Sequence, residues 1–550
     1  MGAGVGAGYR RRGTAAGLFG AALLVAGAVL TSGGGAYAQP SPPPGGQSAT
    51  GRGEGDDRDG GHGDKGGGSS GDKGNNGGNG KGKGRTGETP RPAGTGAGNG
   101  PVAPAADPTT ATGAPASPAT GHPAPAAGAV LASAEAGLTA GLPTGQGLQQ
   151  ALATVLGDRN LGTVSLAVAD AAGGRLLYGS GENTPATPAS TTKLATSVAA
   201  LSLIPGDTRL TTRVVKGADP GEITLVGGGD PTLTALPADQ VQIAGLPADA
   251  DTAPASLDAL ARQTAAALKA TGTTTVKLDY DLSLYSGNPQ HKNHDAANIA
   301  LVTSLMVDEG KVDPKSREDA PARVADPALS AADAFATLLK AQGVTVDGRA
   351  KPATAPAAAT APVLGRVDSP TVARLVERLL TTSDNTLAEA IARQAALAAH
   401  QPASFEGAAT AVTQELARLG VPTAGVVLND GSGLHQGNAI PPAVLVQLLS
   451  LAASEQHPTL RPVLTGLPIA GFTGTLGKRF GSGSGAAEAA GLVRAKTGSL
   501  SGVNTLAGTV VDAEGRLLSF AVMTRTNAPA DTARAAMDRI VARLAACGCH

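Results

Sequence analysis

Lys496-Thr497-Gly498 stands where a strand-like run begins, near the end of a 550-residue chain. Two further strand-like runs follow, Leu506 to Val511 and Leu517 to Thr524, joined by the turn Asp512-Ala513-Glu514-Gly515. The last helix carries Met537, Ile540, Val541 and Leu544 at helical spacing, a stripe that packing on a sheet explains. Matching elements lie far upstream. Leu148, Leu152, Val155 and Leu156 mark a helix over 148–156, and Val164, Leu166 and Val168 alternate as a strand. Gly173-Gly174 makes a turn from which Arg175 to Tyr178 returns. Pro188 then pre-sets the backbone for an apolar helix from Ser190 to Leu203. The pattern predicts an α+β fold in which strands from both ends share one antiparallel sheet with helices on its faces.

Between these ends the character changes. Residues 218–355 carry Gly and Pro punctuation, short β-like runs such as Thr273 to Leu278, and one clear helix with Ala332, Phe335, Leu338 and Leu339. This stretch reads as an inserted domain. The main domain then takes residues 129–217 and 356–550 and is discontinuous. After the insertion a helix is expected from Pro370 to Leu380, with Ser369 as its N-cap and Val372, Leu375, Val376 and Leu379 buried. A second helix starts near Thr386, which leaves Ser383-Asp384-Asn385 in the loop between the two.

Three motifs thus fall in order: Ser190-Thr191-Thr192-Lys193 at a helix start, Ser383-Asp384-Asn385 between helices, and Lys496-Thr497-Gly498 opening a strand at the sheet edge. A serine hydroxyl is a poor nucleophile until a base takes its proton. Ser190 and Lys193, three apart on a helix, share a face. Lys193 must be neutral to act as that base, and burial or a nearby cation lowers a lysine pKa; Lys496, in the same cleft, is expected to be that cation. Ser383 could relay a proton to a leaving amine while Asn385 holds a substrate amide. Lys496 and Thr497 can bind a carboxylate, the strand edge can take an extended peptide, and Gly498 is expected to let it approach the backbone closely. The set points to acyl transfer on serine with lysine, not histidine, as base. Single motifs carry little weight: Ser70-Gly71-Asp72-Lys73 and Ser286-Gly287-Asn288 mimic the first two out of context.

The remaining sequence bounds this reading. Arg10 to Arg12, an apolar run from Ala15 to Leu30 and Ala36-Tyr37-Ala38 read as a signal peptide over 1–38, with an uncleaved signal anchor as the alternative. Residues 39–128 are rich in Gly, Pro, Ser and Asn, and read as a disordered linker unable to bury enough apolar surface. Forty-three basic residues against 44 acidic ones, with no basic stripe in the foldable part, argue against nucleic acid. The two cysteines, Cys547 and Cys549, could bridge after export but would staple nothing large, and the disulfide is left open. His291 and His294 beside Asp295 lack further evident ligands, so they read as solvated loop histidines and no metal or other cofactor is expected. Asp430-Gly431-Ser432-Gly433 reads as a structural turn near the cleft.

Taken together the motifs resemble the penicillin-recognising serine enzymes, and among them the D-alanyl-D-alanine carboxypeptidases of the S13 peptidase family (low-molecular-mass class C penicillin-binding proteins). The resemblance extends to Leu225-Val226-Gly227-Gly228-Gly229-Asp230-Pro231-Thr232-Leu233, Asp281 to Gly287, Asp430 to Leu434, and Gly474-Thr475-Leu476 with Arg479-Phe480. It covers about Leu148 to Leu544. It implies a five-stranded antiparallel sheet flanked by helices, with the inserted domain between the first and second motifs. It also implies an acyl-enzyme at Ser190 with Lys193 as base, catalytic Ser383, Asn385 and Lys496, and a substrate-binding Thr497, Gly498 and Ser499. The oxyanion hole would be the amides of Ser190 and Ser499. The implied substrates are peptidoglycan stem peptides, as carboxypeptidase and possibly endopeptidase, with β-lactams as covalent inhibitors. The protein would then act outside the cytoplasm, secreted or wall-associated, and touch a membrane only if the signal stays uncleaved. Ser499 stands where the family commonly has Thr, and 288–298 lacks an expected aromatic residue.

Two alternatives remain on the sequence. A β-lactamase would need a glutamate holding a water after the second motif, and neither Glu406 nor Glu415 has that context. A non-catalytic wall-binding protein would have no reason to keep all five reactive side chains.

Overall fold

The computed structural model describes residues 141–550, Ala244 excepted. The expected signal peptide and linker, 1–38 and 39–128, lie outside the described residues. Helix α1 (Gly145–Leu156) opens the fold; the Thr144 hydroxyl caps it by accepting from the Gly147 amide, and Leu148 and Leu152 are buried. Strands β1 (Thr163–Asp170) and β2 (Leu176–Ser180) form the expected hairpin. A short 3-10 turn, Ala189–Thr191, leads into α2 (Thr192–Leu203). Every residue of α2 from Thr192 to Leu201 is buried, which makes it the central helix of the domain.

The chain next builds a second sheet from β3 (Arg209–Lys216), β4 (Glu222–Val226), β5 (Thr275–Asp281), β6 (Thr345–Val346), β7 (Lys351–Pro352) and β8 (Val363–Thr371), with helices α3 (Leu257–Lys269) and α4 (Pro327–Ala341) packed on it. Its order is β8-β3-β4-β5-β6, with β7 also on β5. Strands β3 and β8 stand outside 218–355, so this sheet reaches further into the chain on both sides than the composition change indicates. They pair antiparallel, from Val363 opposite Val215 to Thr371 opposite Arg209.

Helices α5 (Val372–Thr382), α6 (Asn385–Ala398), α7 (Phe405–Arg418) and α8 (Pro442–Ala453) follow. Then come β9 (Val493–Leu500), β10 (Val503–Val511), β11 (Leu517–Arg525) and α9 (Ala530–Ala545). The first sheet is five-stranded, antiparallel, in the order β9-β10-β11-β1-β2, so strands from the two ends of the domain meet where β11 pairs β1. Its faces divide by residue size. Leu166, Val168, Leu506, Val510, Phe520 and Val522 pack on α1 and α9. Ala167, Ala169, Ala507 and Ala521 face α2 and α8, where the small side chains let the helices lie close. Cys547 and Cys549 are joined in a disulfide after α9. Among the described residues no helix is long and apolar enough to cross a membrane.

Two local expectations need correction. Helix α5 starts two residues later than Pro370, capped by Thr371, whose hydroxyl accepts from the Arg374 amide at 3.3 Å. The Ser369 hydroxyl instead accepts from the Leu210 amide at 2.9 Å, because Ser369 is still in strand β8 beside β3. Strand β9 begins at Val493, so Lys496 sits inside the strand, not at its head.

Candidate active site

Ser190 lies in the 3-10 turn that feeds α2, and Lys193 one turn on is fully buried. The residue before the serine, Ala189, has φ 47°, a left-handed backbone uncommon for anything but glycine. Gly433 makes that turn possible from outside: a Cβ there would collide with the Ala189 carbonyl and come within 2.9 Å of the Thr192 hydroxyl.

Lys193 Nζ has three partners: Ser190 Oγ at 2.9 Å, Asn385 Oδ1 at 2.7 Å and the Ser432 carbonyl at 2.6 Å. Two of these oxygens can only accept; the serine hydroxyl alone can also donate. As an ammonium, Lys193 donates to all three. As a neutral amine its two hydrogens go to Asn385 and Ser432, and its lone pair faces the Ser190 hydroxyl. The donor–acceptor count thus aims the lone pair at the Ser190 hydroxyl. Asn385 is held in this orientation by its Nδ2, which donates to the Asn298 carbonyl at 2.9 Å. That carbonyl comes from the inserted region, within the 288–298 segment.

Helix α5 ends at Ser383, which has φ 60°, and Asp384 caps α6 by accepting from the Leu387 amide at 2.7 Å. Two residues therefore separate the helices, and Asn385 is the first residue of α6. Lys496 Nζ, fully buried, donates to Ser383 Oγ and to the Thr497 carbonyl, both at 2.8 Å. The Thr497 and Thr475 hydroxyls are 2.8 Å apart. Ser499 Oγ accepts from Arg534 at 3.1 Å. All eight residues singled out in the sequence thus lie on three converging elements: the α2 turn, the α5–α6 junction and β9.

The fold gives Gly498 a requirement for glycine that the sequence did not show. A Cβ there would collide with the Thr505 hydroxyl and lie 2.8 Å from the Pro188 carbonyl and 2.9 Å from the Ser190 amide nitrogen. The missing side chain makes room for the turn that carries Ser190. Gly498→Ala is expected to push β9 off that turn, costing about 1–3 kcal/mol. A thermal melt should show the loss as a lowered midpoint.

Burial dominates the electrostatics of both lysines. Burial pulls Lys193 down to about 8, while Asp430, Glu389 and Asp384 push the other way. Lys496 is itself held well below the usual lysine range, by burial first and by the Lys193 charge second. Lys193 has three carboxylates to offset its burial. Asp384 is pushed up to about 6 by burial and then by Glu309. Glu309 itself is buried, yet Arg378 and Lys311 hold it below the usual carboxylate range. Its ion pairs, with Lys311 at 2.6 Å and with Arg378 on α5, tie the inserted region to the helix that ends at Ser383.

Several participants escaped the sequence reading. The turn 430–433, taken as structural, supplies the Ser432 carbonyl to Lys193. Glu389, one helical turn after Asn385, accepts from the Gly431 and Ser432 amides. His294 is buried, not solvated: its Nε2 lies 2.7 Å from Asp430 Oδ2. His294, Glu389 and Asp430 have potential ligand atoms within 4.8 Å of one another. Their carboxylates, however, are already engaged by N–H donors: Glu389 by two amides, Asp430 by the Gly433 and His435 amides and Asn438 Nδ2. Of the two glutamates considered for a hydrolytic water, Glu406 is bonded to Ser404 and Glu415 to Arg418. Beside Ser383 and Asn385 a cavity of about 900 Å³ opens toward the inserted region, lined also by Thr475, Lys478, Lys311 and Arg317.

The sequence pattern of the D-Ala-D-Ala carboxypeptidase 3 (S13) family matches residues 148–323 and 314–544. A carboxypeptidase DacB of Mycolicibacterium smegmatis is 37% identical over 425 residues, covering 75% of this chain and 86% of the relative. A D-alanyl-D-alanine carboxypeptidase of an Actinomadura species is 30% identical over 461 residues, covering 72% and 84%. The crystal structure of penicillin binding protein 4 (dacB) from Haemophilus influenzae superposes with a TM-score of 0.56, covering 72% of this chain and 98% of that one at 19% identity, a likeness of fold. That protein has also been seen in complex with a β-lactam.

Proposed function

The chain belongs to the D-Ala-D-Ala carboxypeptidase 3 (S13) family and is a serine-type D-Ala-D-Ala carboxypeptidase, and from that premise we propose that Ser190 is its nucleophile and Lys193 the base that activates it. The observation that carries this assignment is the coordination of Lys193 Nζ, in which the Ser190 hydroxyl is the one partner able to give up a proton.

Lys193 takes the Ser190 proton as Oγ attacks the carbonyl of the D-Ala-D-Ala bond. The developing oxyanion lies between the amides of Ser190 and Ser499, a placement supported by the close approach of Gly498 to the Ser190 amide. Ser383, bonded to Lys496, relays a proton to the leaving amine. The paired hydroxyls of Thr475 and Thr497, next to Lys496 on β9, receive the terminal carboxylate. Water then releases the acyl group from Ser190.

The substrates are peptidoglycan stem peptides, and β-lactams acylate Ser190 as mimics of D-Ala-D-Ala. This substrate places the enzyme outside the cytoplasmic membrane, exported by the basic and apolar N-terminal segment. The cavity of about 900 Å³ beside Ser383 favours a second activity, cleavage of cross-links, because it gives a bulky leaving peptide somewhere to go. The purified protein, incubated with pentapeptide and cross-linked muropeptides, is expected to release terminal D-Ala and to split dimers. Incubated with benzylpenicillin it should gain one covalent adduct. Absence of both product and adduct would refute the assignment.

A further inference from the structure

Asp430-Gly431-Ser432-Gly433 is wedged between three helical elements. Gly433 lies against the Ala189 carbonyl, and a Cβ on Gly431 would be 2.5 Å from Ala392 Cβ on α6. The Gly431 carbonyl accepts from the Thr196 hydroxyl of α2 at 2.7 Å. One charged side chain grips the turn from beneath. Glu389 Oε1 accepts from the Ser432 amide at 2.7 Å and the Gly431 amide at 3.0 Å, and Oε2 is 3.2 Å from the Gly431 amide. Glu389 is fully buried. A buried carboxylate is costly unless it is well paired, so its presence here calls for a reason.

We propose that Glu389 is a positioning residue for the general base, acting through the Gly431–Ser432 peptide to aim the Ser432 carbonyl at Lys193 Nζ. This rests on Lys193 being the base. The chain of contacts is short: Glu389 carboxylate, Ser432 amide, Ser432 carbonyl, Lys193 Nζ. The same helix face offers Asn385 one turn earlier, so α6 fixes both acceptors that hold the amine hydrogens. Without the Ser432 carbonyl, Nζ has one fixed acceptor, and its lone pair is free to rotate away from Ser190.

Charge gives the residue a second, separable effect. Lys193 is faced by Asp384 and Glu389 from the α5–α6 junction and α6, by Asp430 from the turn and by Lys496 from β9. Glu389 in turn is faced by Asp430, Arg393 and His294. Its negative charge favours the ammonium form of Lys193, so removing that charge makes the free amine available at lower pH.

The test is the rate of benzylpenicillin acylation against pH for the full chain, for Glu389→Gln and for Glu389→Ala. Wild type is expected to gain rate with a midpoint near 8. Glu389→Gln keeps an oxygen for the Ser432 amide but loses the charge. Its midpoint should move down by about half a unit, with a plateau lowered about threefold. Glu389→Ala releases the turn, and its plateau should fall about tenfold or more. A merely structural role would lower the melting temperature of both variants and leave plateau and midpoint in place, which would overturn the proposal. Should Glu389→Ala fail to fold, an unmoved midpoint in Glu389→Gln overturns it equally. A wild type that is never acylated defeats the base assignment itself, and with it this one. An acylated wild type with unchanged variants defeats only the role of Glu389.

Discussion

Ser190→Ala should abolish covalent labelling by benzylpenicillin and reduce D-Ala release by at least about 10⁴-fold, with the fold intact. The substitution removes one oxygen from the half-buried end of a turn whose shape is set elsewhere. Pro188 accepts from the hydroxyls of Thr191 and Thr505, at 2.7 Å and 2.8 Å, and Gly433 keeps its place beneath Ala189. Lys193 loses one partner but retains Asn385 and Ser432. Intact-mass spectrometry after penicillin treatment gives the readout, and a melting temperature near that of wild type shows that the loss is chemical. An adduct on the alanine variant would move the nucleophile to another residue and remove the basis of the mechanism.

Lys193→Met should lower the acylation rate by about 10²–10⁴-fold, the usual worth of a positioned base. Methionine has a similar length and suits the burial, so the pocket keeps its volume while the amine disappears. The variant strands two acceptors, Asn385 Oδ1 and the Ser432 carbonyl, at a cost of about 1–3 kcal/mol each. It also relieves the desolvation of a buried cation, which acts in the opposite direction. Near-UV circular dichroism checks that packing survives. Lys496 would feel the change too: with the Lys193 charge gone, one of the two causes depressing it is removed. A Lys193→Met protein that acylates within tenfold of wild type would assign the base elsewhere, with Lys496 through Ser383 as the first candidate.

The sequence carried the sheet and the reactive side chains because both leave periodic or short-range marks. Alternation at Val164, Leu166 and Val168 and the stripe Met537, Ile540, Val541 and Leu544 are local patterns, and they bound the five-stranded sheet at both ends. Ser190 and Lys193 are one helical turn apart, so their contact could be read from spacing. What stayed hidden was made by backbone groups and by distant partners. The carbonyls of Ser432 and Asn298 carry no residue-type signal, since any amino acid has one. Glu389 did have a mark, four residues beyond Asn385 on the same helix face, but a glutamate inside an amphipathic helix reads as surface. His294 and Asp430, 136 positions apart, looked like a loop histidine and a turn aspartate until the fold joined them. Gly498 was recognised as special without its neighbours in the Ser190 turn, because a missing side chain does not say which atom needs the room. Burial was named beside a second cation as a cause of the Lys193 perturbation, and its dominance was already implied by how apolar α2 is.

The antiparallel pairing of β3 with β8 has a consequence for how the chain reaches its folded state. Ser190 and Ser383 are separated by almost two hundred positions, yet the intervening body leaves and rejoins at adjacent strands. Once those strands zip, the stretch between α2 and α5 behaves as a short splice. The polymer entropy of bringing the two ends together drops by about 3 kcal/mol. Hydrogen-exchange pulse labelling during refolding should therefore find β3 and β8 amides protected no later than those of α5; late protection of that strand pair would mean the two halves of the catalytic pocket find each other unaided.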